Sequence, residues 1–242
     1  AWETLRAARD RVIGDTTQLT ADAMAVVTTR LGEDRFDALM SRLAQDRARV
    51  HAMAPPEDGA IFRYLGLDPG QTVDGILAAA CSEEAFDGPG LQDAADMLAT
   101  GKVTDRTRAE RIAGWLAHPA TRAADFRAYA GAYLTKDGKI QARLLTKGVA
   151  EADPAAVEVL DTEARRVRAV RERCLAADIA RTSTALATLA RVLLGAYDTE
   201  KSRRARLDYD DLIARVRRLL EGEAAAAAAR SASKNGDASA NR

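Results

Sequence analysis

Residues 153–194 read DPAAVEVLDTEARRVRAVRERCLAADIARTSTALATLARVLL. The stretch begins with Asp153 and Pro154, and an aspartate N-cap followed by proline at the first helical position is a strong signal for the start of an α-helix. After Pro154 the chain contains no glycine or proline until Gly195. The pattern predicts one very long helix over about 154–205, roughly 75 Å long at about 1.5 Å per residue.

Within this helix, a row of mostly apolar residues recurs at alternating spacings of four and three, which is a heptad-like pattern. The row consists of Leu175, Ile179, Thr182, Leu186, Leu189, Leu193 and Ala196. Because threonine and alanine interrupt the row, we expect it to face the core of the protein itself rather than the second helix of a coiled-coil dimer. A helix of this length must lie across a whole domain or project as an arm.

The segments before the long helix also show a helical period. An apolar stripe from Phe36 to Val50 stops before Pro55-Pro56. Short helices are predicted around 61–65, 73–80 and 91–98, with turns at 68–70 and 88–90. No segment predicts a convincing β-strand. The fold class is therefore all-α, a multi-helix domain with one very long helix.

Two further helices are predicted between residues 104 and 135. The first starts at a cap formed by Thr104 or Asp105 and ends before Pro119, where His118 is expected to cap carbonyl groups. The second carries aromatic residues on one side and ends in a turn at 136–139. Its aromatic side is formed by Phe126, Tyr129 and Tyr133.

Charge is segregated along the chain, although its 36 basic and 36 acidic residues cancel. Residues 1–100 carry 9 basic against 17 acidic side chains, a net charge of −8, while residues 101–150 carry 10 against 4, a net charge of +6. We predict an acidic helical subregion (1–100), a basic helical arm subregion (101–220) and a disordered polyalanine and low-complexity tail (221–242). Such segregation is typical of a protein that binds a polyanion through one of its faces. The alternative is a helical protein whose solvated faces are unevenly charged and have no binding role.

Several classes of site are excluded by the motifs. Cys81 and Cys174 are far apart and have no metal-ligand spacing, so neither a disulfide framework nor a zinc site is predicted. The sequence around Gly101-Lys102 lacks the earlier glycine and the following Ser or Thr that a phosphate-binding loop requires. We predict no catalytic residue, cofactor site or metal site. With no signal peptide and no apolar run of membrane-spanning length, a cytoplasmic location is expected.

One cluster has the composition of a polyanion-binding surface. Residues 133–139 read YLTKDGK, and Arg143, Thr146 and Lys147 follow. Cations spread over a glycine turn and the next helix can neutralise successive phosphates, while threonine hydroxyls and backbone N–H groups fix the register. The candidate DNA-binding residues here are Lys136, Lys139, Arg143 and Lys147. The alternative is an ordinary basic surface loop.

A second distinctive segment, residues 207–213, reads LDYDDLI. It follows a basic run formed by Lys201, Arg203, Arg204 and Arg206. Taken alone, the segment is a capped helix start, with Asp208 as the N-cap and Asp210 and Asp211 in the first turn, near the positive end of the helix dipole.

Three segments together resemble AddA, the UvrD-like superfamily 1 helicase-nuclease subunit of a bacterial double-strand-break repair complex, which is similar in role to RecB. They are DRFDALMSRLAQDR, YLTKDGKIQARLLTK and YDTEKSRRARLDYDDLI, in this order. The resemblance implies the helical insertion of the first motor domain, an arm that touches duplex DNA ahead of the motor of an ATP-dependent 3′–5′ helicase. It implies an AddB-like partner subunit, a nucleoid-associated location in a bacterial cytoplasm, and Arg203, Arg204 and Arg206 as weaker DNA contacts.

The resemblance assigns no catalysis to these 242 residues. They contain no Walker A, Walker B or nuclease motif, so ATP, Mg²⁺ and exonuclease activity are implied only for the parent protein. The chain is expected to be a piece of a larger protein, truncated or derived from a frame-shifted gene. The alternative function is a free-standing helical interaction module whose long helix presents its apolar row to a protein partner.

Overall fold

A computed structural model of the chain describes residues 17–31, 33–46 and 59–203, together with positions 7–8, 10–11, 14, 49–50, 212, 216 and 219–220. These residues contain helices and no strand, which confirms the all-α prediction for this part of the chain. The α-helices found there are α1 Gln18–Thr28, α2 Glu33–Gln45, α3 Ala60–Tyr64, α4 Val73–Ala80, α5 Gly88–Ala99, α6 Val103–Ala117, α7 Arg122–Ala130, α8 Lys147–Ala152 and α9 Pro154–Arg203. The predicted tail at 221–242 and the predicted helix start at Asp208 lie outside the described residues.

The chain divides into two compact units. The central unit is Met53–Ala187, and the terminal unit combines Ala1–Ala52 with Thr188–Arg242. Within the terminal unit, Val50 packs against Ala190 and Leu194, with Leu43 beside them. The charge-defined subregions are a division by composition rather than by packing, and they stay a prediction.

The long helix α9 begins where the sequence predicts. The Oδ1 atom of Asp153 accepts hydrogen bonds from the backbone N–H groups of Ala155 (3.0 Å) and Ala156 (3.2 Å), and Pro154 occupies the first helical position. These bonds satisfy two donors that have no partner inside the helix. Because α9 extends to Arg203, a very long helix is confirmed, and only the last two residues of the predicted range lie outside the described part.

The buried side of α9 in the central unit is not the predicted row. Leu175 and Ile179 are 50% and 54% exposed, so their assignment to the core is wrong, whereas Leu189 and Leu193 are fully buried. The buried positions of the first half are mainly small or β-branched: Ala156, Leu160, Ala164, Val167, Val170, Ala177 and Ala180. Small residues suit this side because the rest of the core supplies bulky aromatic rings, and large and small side chains must alternate to fill a core.

Those rings come from the helix pair α6 and α7. Trp115 stacks on Tyr129 with ring centroids 3.9 Å apart and an interplanar angle of 13°, and both side chains are at least 96% buried. The indole N–H of Trp115 donates to the carbonyl oxygen of Arg122 at 3.0 Å, which satisfies the polar atom of the buried ring. The stack therefore joins α6 to α7 at the centre of the core.

Three predicted boundaries differ from the structure. Residues 88–90 are the first turn of α5 rather than a break, because Asp87 caps the N–H of Gly90 at 2.9 Å and proline is tolerated in a first turn. Helix α6 starts at Val103, with Asp105 in its third position and not as the N-cap. Helix α7 ends at Ala130, so Tyr133 follows the helix instead of extending its aromatic side.

The ring of His118 does act as predicted at the end of α6. Its Nδ1 atom lies 2.7 Å from the carbonyl oxygen of Gly114, so the ring caps one of the last carbonyl groups of the helix. In the described parts of the chain, no helix is both long and apolar enough to cross a membrane.

Replacement of Leu160 should test which side of α9 carries the packing. We expect Leu160→Ala to lower the free energy of unfolding by about 2–5 kcal/mol, because the fully buried side chain would leave a cavity. The matched control is Leu175→Ala on the same helix, where a half-exposed leucine should change stability far less. Urea denaturation followed by circular dichroism measures both, and equal losses would contradict the assigned face.

Candidate nucleic-acid interface

The predicted basic cluster is built on a tight hairpin that we call the basic turn, residues 134–140. Leu134 and Ile140 form an antiparallel bridge at its base, and the N–H of Thr135 donates to the carbonyl oxygen of Lys139 at 2.8 Å. The N–H of Gly138 donates to the carbonyl oxygen of Thr135 at 2.9 Å, which closes the turn. Gly138 has φ = 80°, a left-handed conformation that favours glycine. The turn therefore has one defined backbone conformation.

Helix α6 holds both sides of this turn through Arg108. Its Nε donates to the carbonyl oxygen of Ala132 (2.7 Å), and its Nη2 donates to the side-chain oxygen of Gln141 (2.7 Å). Its Nη1 donates to the carbonyl oxygen of Leu144. One guanidinium thus binds the chain before and after the turn, so the base of the hairpin cannot open without breaking charge-assisted hydrogen bonds.

A second α6 side chain, Asp105, fixes the start of α8. It is 1% exposed and accepts hydrogen bonds from the N–H (3.0 Å) and the hydroxyl (2.6 Å) of Thr146, and from the N–H of Lys102 (3.1 Å). Burial alone would raise its pKa, but these hydrogen bonds outweigh it, so the pKa of Asp105 lies below the usual 3.8. The residue that follows Thr146 is Lys147, one of the predicted DNA contacts.

A buried polar network lies directly before the basic turn. The hydroxyl of Tyr129 donates to Glu163 Oε1 at 2.6 Å and lies 3.0 Å from the hydroxyl of Tyr133. Arg166 donates to both oxygens of Glu163, at 2.6 and 2.7 Å, and to the carbonyl oxygen of Ala80 at 2.7 Å. Burial raises the pKa of both tyrosines far above the usual value, so both hydroxyls stay neutral. Neither ring is free to stack on a base.

The three cations Lys136, Lys139 and Arg143 are exposed. Among the residues that the structure describes, none of these three forms an ion pair. Lys147 is 89% exposed and lies 3.4 Å from Glu151, one helical turn further on. Exposed pairs of this kind contribute little, so Lys147 can exchange Glu151 for another anion at small cost.

The other predicted contacts belong to the terminal unit, and only one of them is described. Arg203 belongs to the terminal unit, is exposed, and lies 3.9 Å from Glu200. Arg204 and Arg206 lie outside the described residues. Both threonine hydroxyls make hydrogen bonds within the chain: that of Thr146 donates to Asp105, and that of Thr135 accepts the N–H of Lys139 at 3.2 Å.

One cation next to the turn, Arg171, was not predicted from the sequence. Gly138 is buried although residues 135–137 and Lys139 are exposed. The reason is Arg171 of α9: a Cβ atom built on Gly138 would overlap the Arg171 guanidinium. Nothing in the local sequence links the two positions, since Arg171 is one of several arginines in this helix.

The chemistry of the basic turn is that of charge neutralisation. The exposed charged groups of the turn are the ammonium groups of Lys136 and Lys139 and the carboxylate of Asp137, and the exposed Arg143 follows the turn. The cations can bind phosphate oxygens without base readout. Among the described residues, no three His, Cys, Asp or Glu side chains group together as metal ligands would. Cys81 and Cys174 are free thiols, and burial raises the pKa of both.

The conformation of Gly138 can be tested with two glycine variants. Gly138→Ala should lower stability by about 1–3 kcal/mol, because alanine is strained at positive φ and its Cβ would displace Arg171. Gly148→Ala is the control: it lies in α8 with open space around the added Cβ and should be neutral or stabilising by up to about 1 kcal/mol. Urea denaturation compares them, and a Gly138→Ala protein as stable as Gly148→Ala would contradict the described turn.

Asp105→Asn should destabilise the chain by about 1–3 kcal/mol at neutral pH, because an amide cannot accept all three hydrogen bonds. Since the folded pKa lies below the unfolded one, protons bind the unfolded chain more tightly. The contribution of Asp105 is thus complete above the unfolded pKa and is lost as the pH falls through the folded pKa. Unfolding free energies measured from pH 7 to pH 2 should show the wild type and variant converging.

The control for this experiment is Asp93→Asn, since Asp93 is an exposed aspartate on α5. Its replacement should change stability by less than about 0.5 kcal/mol at neutral pH. A constant difference between wild type and Asp105→Asn over the whole pH range would show that the Asp105 carboxylate charge does not matter.

Comparison with known proteins adds no relative for this arrangement. No protein-family model, curated protein or solved structure matches the chain. The resemblance to AddA therefore stays a prediction that rests on the three quoted segments. The geometry of the site is that of a basic turn held by hydrogen bonds from α6, with its cations exposed to solvent.

Proposed function

We propose that this chain is the helical arm of an AddA-type ATP-dependent 3′–5′ DNA helicase acting in double-strand-break repair, and that its basic turn contacts the DNA backbone. The observation that carries the proposal is that exposed cations without ion-pair partners in the described part of the chain extend from a backbone segment held by hydrogen bonds. Lys136, Lys139 and Arg143 are exposed and have no ion-pair partner among the described residues, while Arg108 and Asp105 hold the segment that bears them.

A fixed turn favours binding because little backbone entropy is lost when it meets the ligand. Only the long side chains of the cations have to be ordered, and the release of counterions from the DNA provides the driving force. An ordinary flexible loop of the same composition would lose more conformational freedom on binding. The two anchors, buried Asp105 and half-buried Arg108, therefore support a binding role over a merely solvated loop.

The kind of contact follows from which groups are exposed. Phe126, Tyr129 and Tyr133 are buried, so the aromatic rings nearest in sequence to the turn cannot stack on unpaired bases. We infer contact with the phosphates of duplex DNA and no sequence preference. The remaining properties come from the resemblance and belong to the parent protein: ATP and Mg²⁺ use, exonuclease activity, an AddB-like subunit and a nucleoid-associated location.

A second candidate function is a helical protein-interaction module. It is supported by Leu175 and Ile179, which lie one turn apart on α9 and are about half exposed. An exposed apolar pair on a long helix suits a protein partner better than it suits a phosphate backbone. The two functions differ in their response to salt, since counterion release makes phosphate binding steeply salt-dependent.

Binding to a duplex oligonucleotide, measured by fluorescence anisotropy over a range of salt concentrations, tests the proposal. The plot of log K against log salt should be steep for the wild type, and its slope should weaken by about 0.9 for each phosphate contact removed. We expect this loss with Lys136→Ala, Lys139→Ala, Arg143→Ala and Lys147→Ala, and the largest loss when all four are combined.

The control is Arg42→Ala, which removes an exposed arginine of α2 that already pairs with Asp46 at 2.9 Å. It should leave the slope unchanged. A wild-type chain with no salt-dependent binding would exclude the DNA-binding function and favour the interaction module. A slope that the fourfold variant leaves unchanged would remove the basic turn from the binding surface.

A further inference from the structure

We propose that Arg171 of α9 is a phosphate-binding residue that adds a third cation to the basic turn at Gly138. The inference rests on the proposed DNA contact and adds to it a residue that the sequence does not indicate. Its ligand class is the phosphodiester group of duplex nucleic acid, bound by the Arg171 guanidinium together with the ammonium groups of Lys136 and Lys139.

The Arg171 guanidinium packs on the backbone of the basic turn. It lies against Gly138, between the two lysines in sequence, where a Cβ atom would take its place. Gly138 is buried for this reason, while Lys136 and Lys139 on either side of it stay exposed. Arg171 is therefore brought to a turn that carries two exposed lysines, although it is 33 positions further along the chain than Gly138.

The guanidinium donors of Arg171 are unused in the part of the chain that the structure describes. Three other arginines of this helix have hydrogen-bond partners: Arg165 donates to the carbonyl oxygen of Asp161, Arg166 to Glu163, and Arg168 to Glu172. Within the described residues, Arg171 makes no hydrogen bond or ion pair. A guanidinium has five N–H donors and is always charged. A half-buried arginine without an acceptor is therefore well suited to bind an anion.

Lysine and arginine bind a phosphate group in different ways. Lysine meets a phosphate as a point charge, whereas the planar fork of arginine can donate two parallel hydrogen bonds to two phosphate oxygens. A turn with two lysines attracts the backbone, and an arginine held beside it can fix where one phosphate sits. We therefore expect Arg171 to contribute both to the affinity and to its salt dependence, since its guanidinium neutralises one phosphate on binding.

The test uses the full chain and the same duplex titration, with Arg171→Gln and Arg171→Lys. Arg171→Gln should weaken the log–log salt slope by about 0.9, which corresponds to the loss of one phosphate contact. Arg171→Lys keeps the charge and should retain the slope, while losing affinity because it cannot form the paired hydrogen bonds. A single-stranded oligonucleotide of equal length runs in parallel, and we expect it to bind more weakly.

The matched control is Arg173→Gln. Arg173 is exposed on the same helix, and two residues correspond to about 200° of rotation, so it points away from the basic turn. Its removal should leave the slope unchanged. Circular dichroism and urea denaturation on each variant establish that folding is intact before slopes are compared.

Each result bears on the proposal. An unchanged slope with Arg171→Gln, or equal losses with Arg171→Gln and Arg173→Gln, would overturn it, because the first excludes a contact and the second indicates diffuse attraction. If Lys136→Ala and Lys139→Ala weaken the slope and Arg171→Gln does not, the DNA contact stands and only the role of Arg171 fails. Absence of salt-dependent binding in the wild type would instead remove the proposed function itself.

Discussion

The segment 131–146 depends on hydrogen bonds from helix α6, because it contains no helix of its own to satisfy its backbone polar groups. Arg108 donates to two carbonyl oxygens and one side chain of this segment, and Asp105 accepts the N–H and hydroxyl of Thr146 at its end. These two residues are three positions apart on α6, so they lie on the same side of the helix. The basic turn has a defined shape because of this support.

The support of α6 depends in turn on the aromatic core. Trp115, two turns further along α6, stacks on Tyr129 of α7, and Tyr129 donates to Glu163 of α9. The same set of contacts therefore links α6, α7 and α9 through buried groups that have hydrogen-bond partners. The exposed cations of the turn therefore have long side chains that extend from a backbone fixed by buried, hydrogen-bonded groups.

The sequence predicted local features well and tertiary relations poorly. The start of α9 was predictable because the Asp153-Pro154 cap is a local signal, and so was α4, which matches its predicted range. The buried side of α9 was not predictable in the same way, because it is formed mainly by alanine and valine. The large apolar residues Leu175 and Ile179, whose heptad-like spacing predicted a buried side, are exposed. The site cations were visible as composition, but the role of Arg108 and the approach of Arg171 depend on contacts across the fold that no spacing encodes.

The contact between Gly138 and Arg171 has a consequence for divergence between homologous chains. Because a side chain at position 138 and the guanidinium of Arg171 require the same space, substitutions at the two positions should be coupled during evolution. A lineage that keeps arginine at position 171 should favour glycine at position 138, because any larger residue must displace the guanidinium, whereas loss of the arginine would leave the positive φ as the remaining constraint. Asparagine, which tolerates positive φ, would then be the first replacement to appear at the turn.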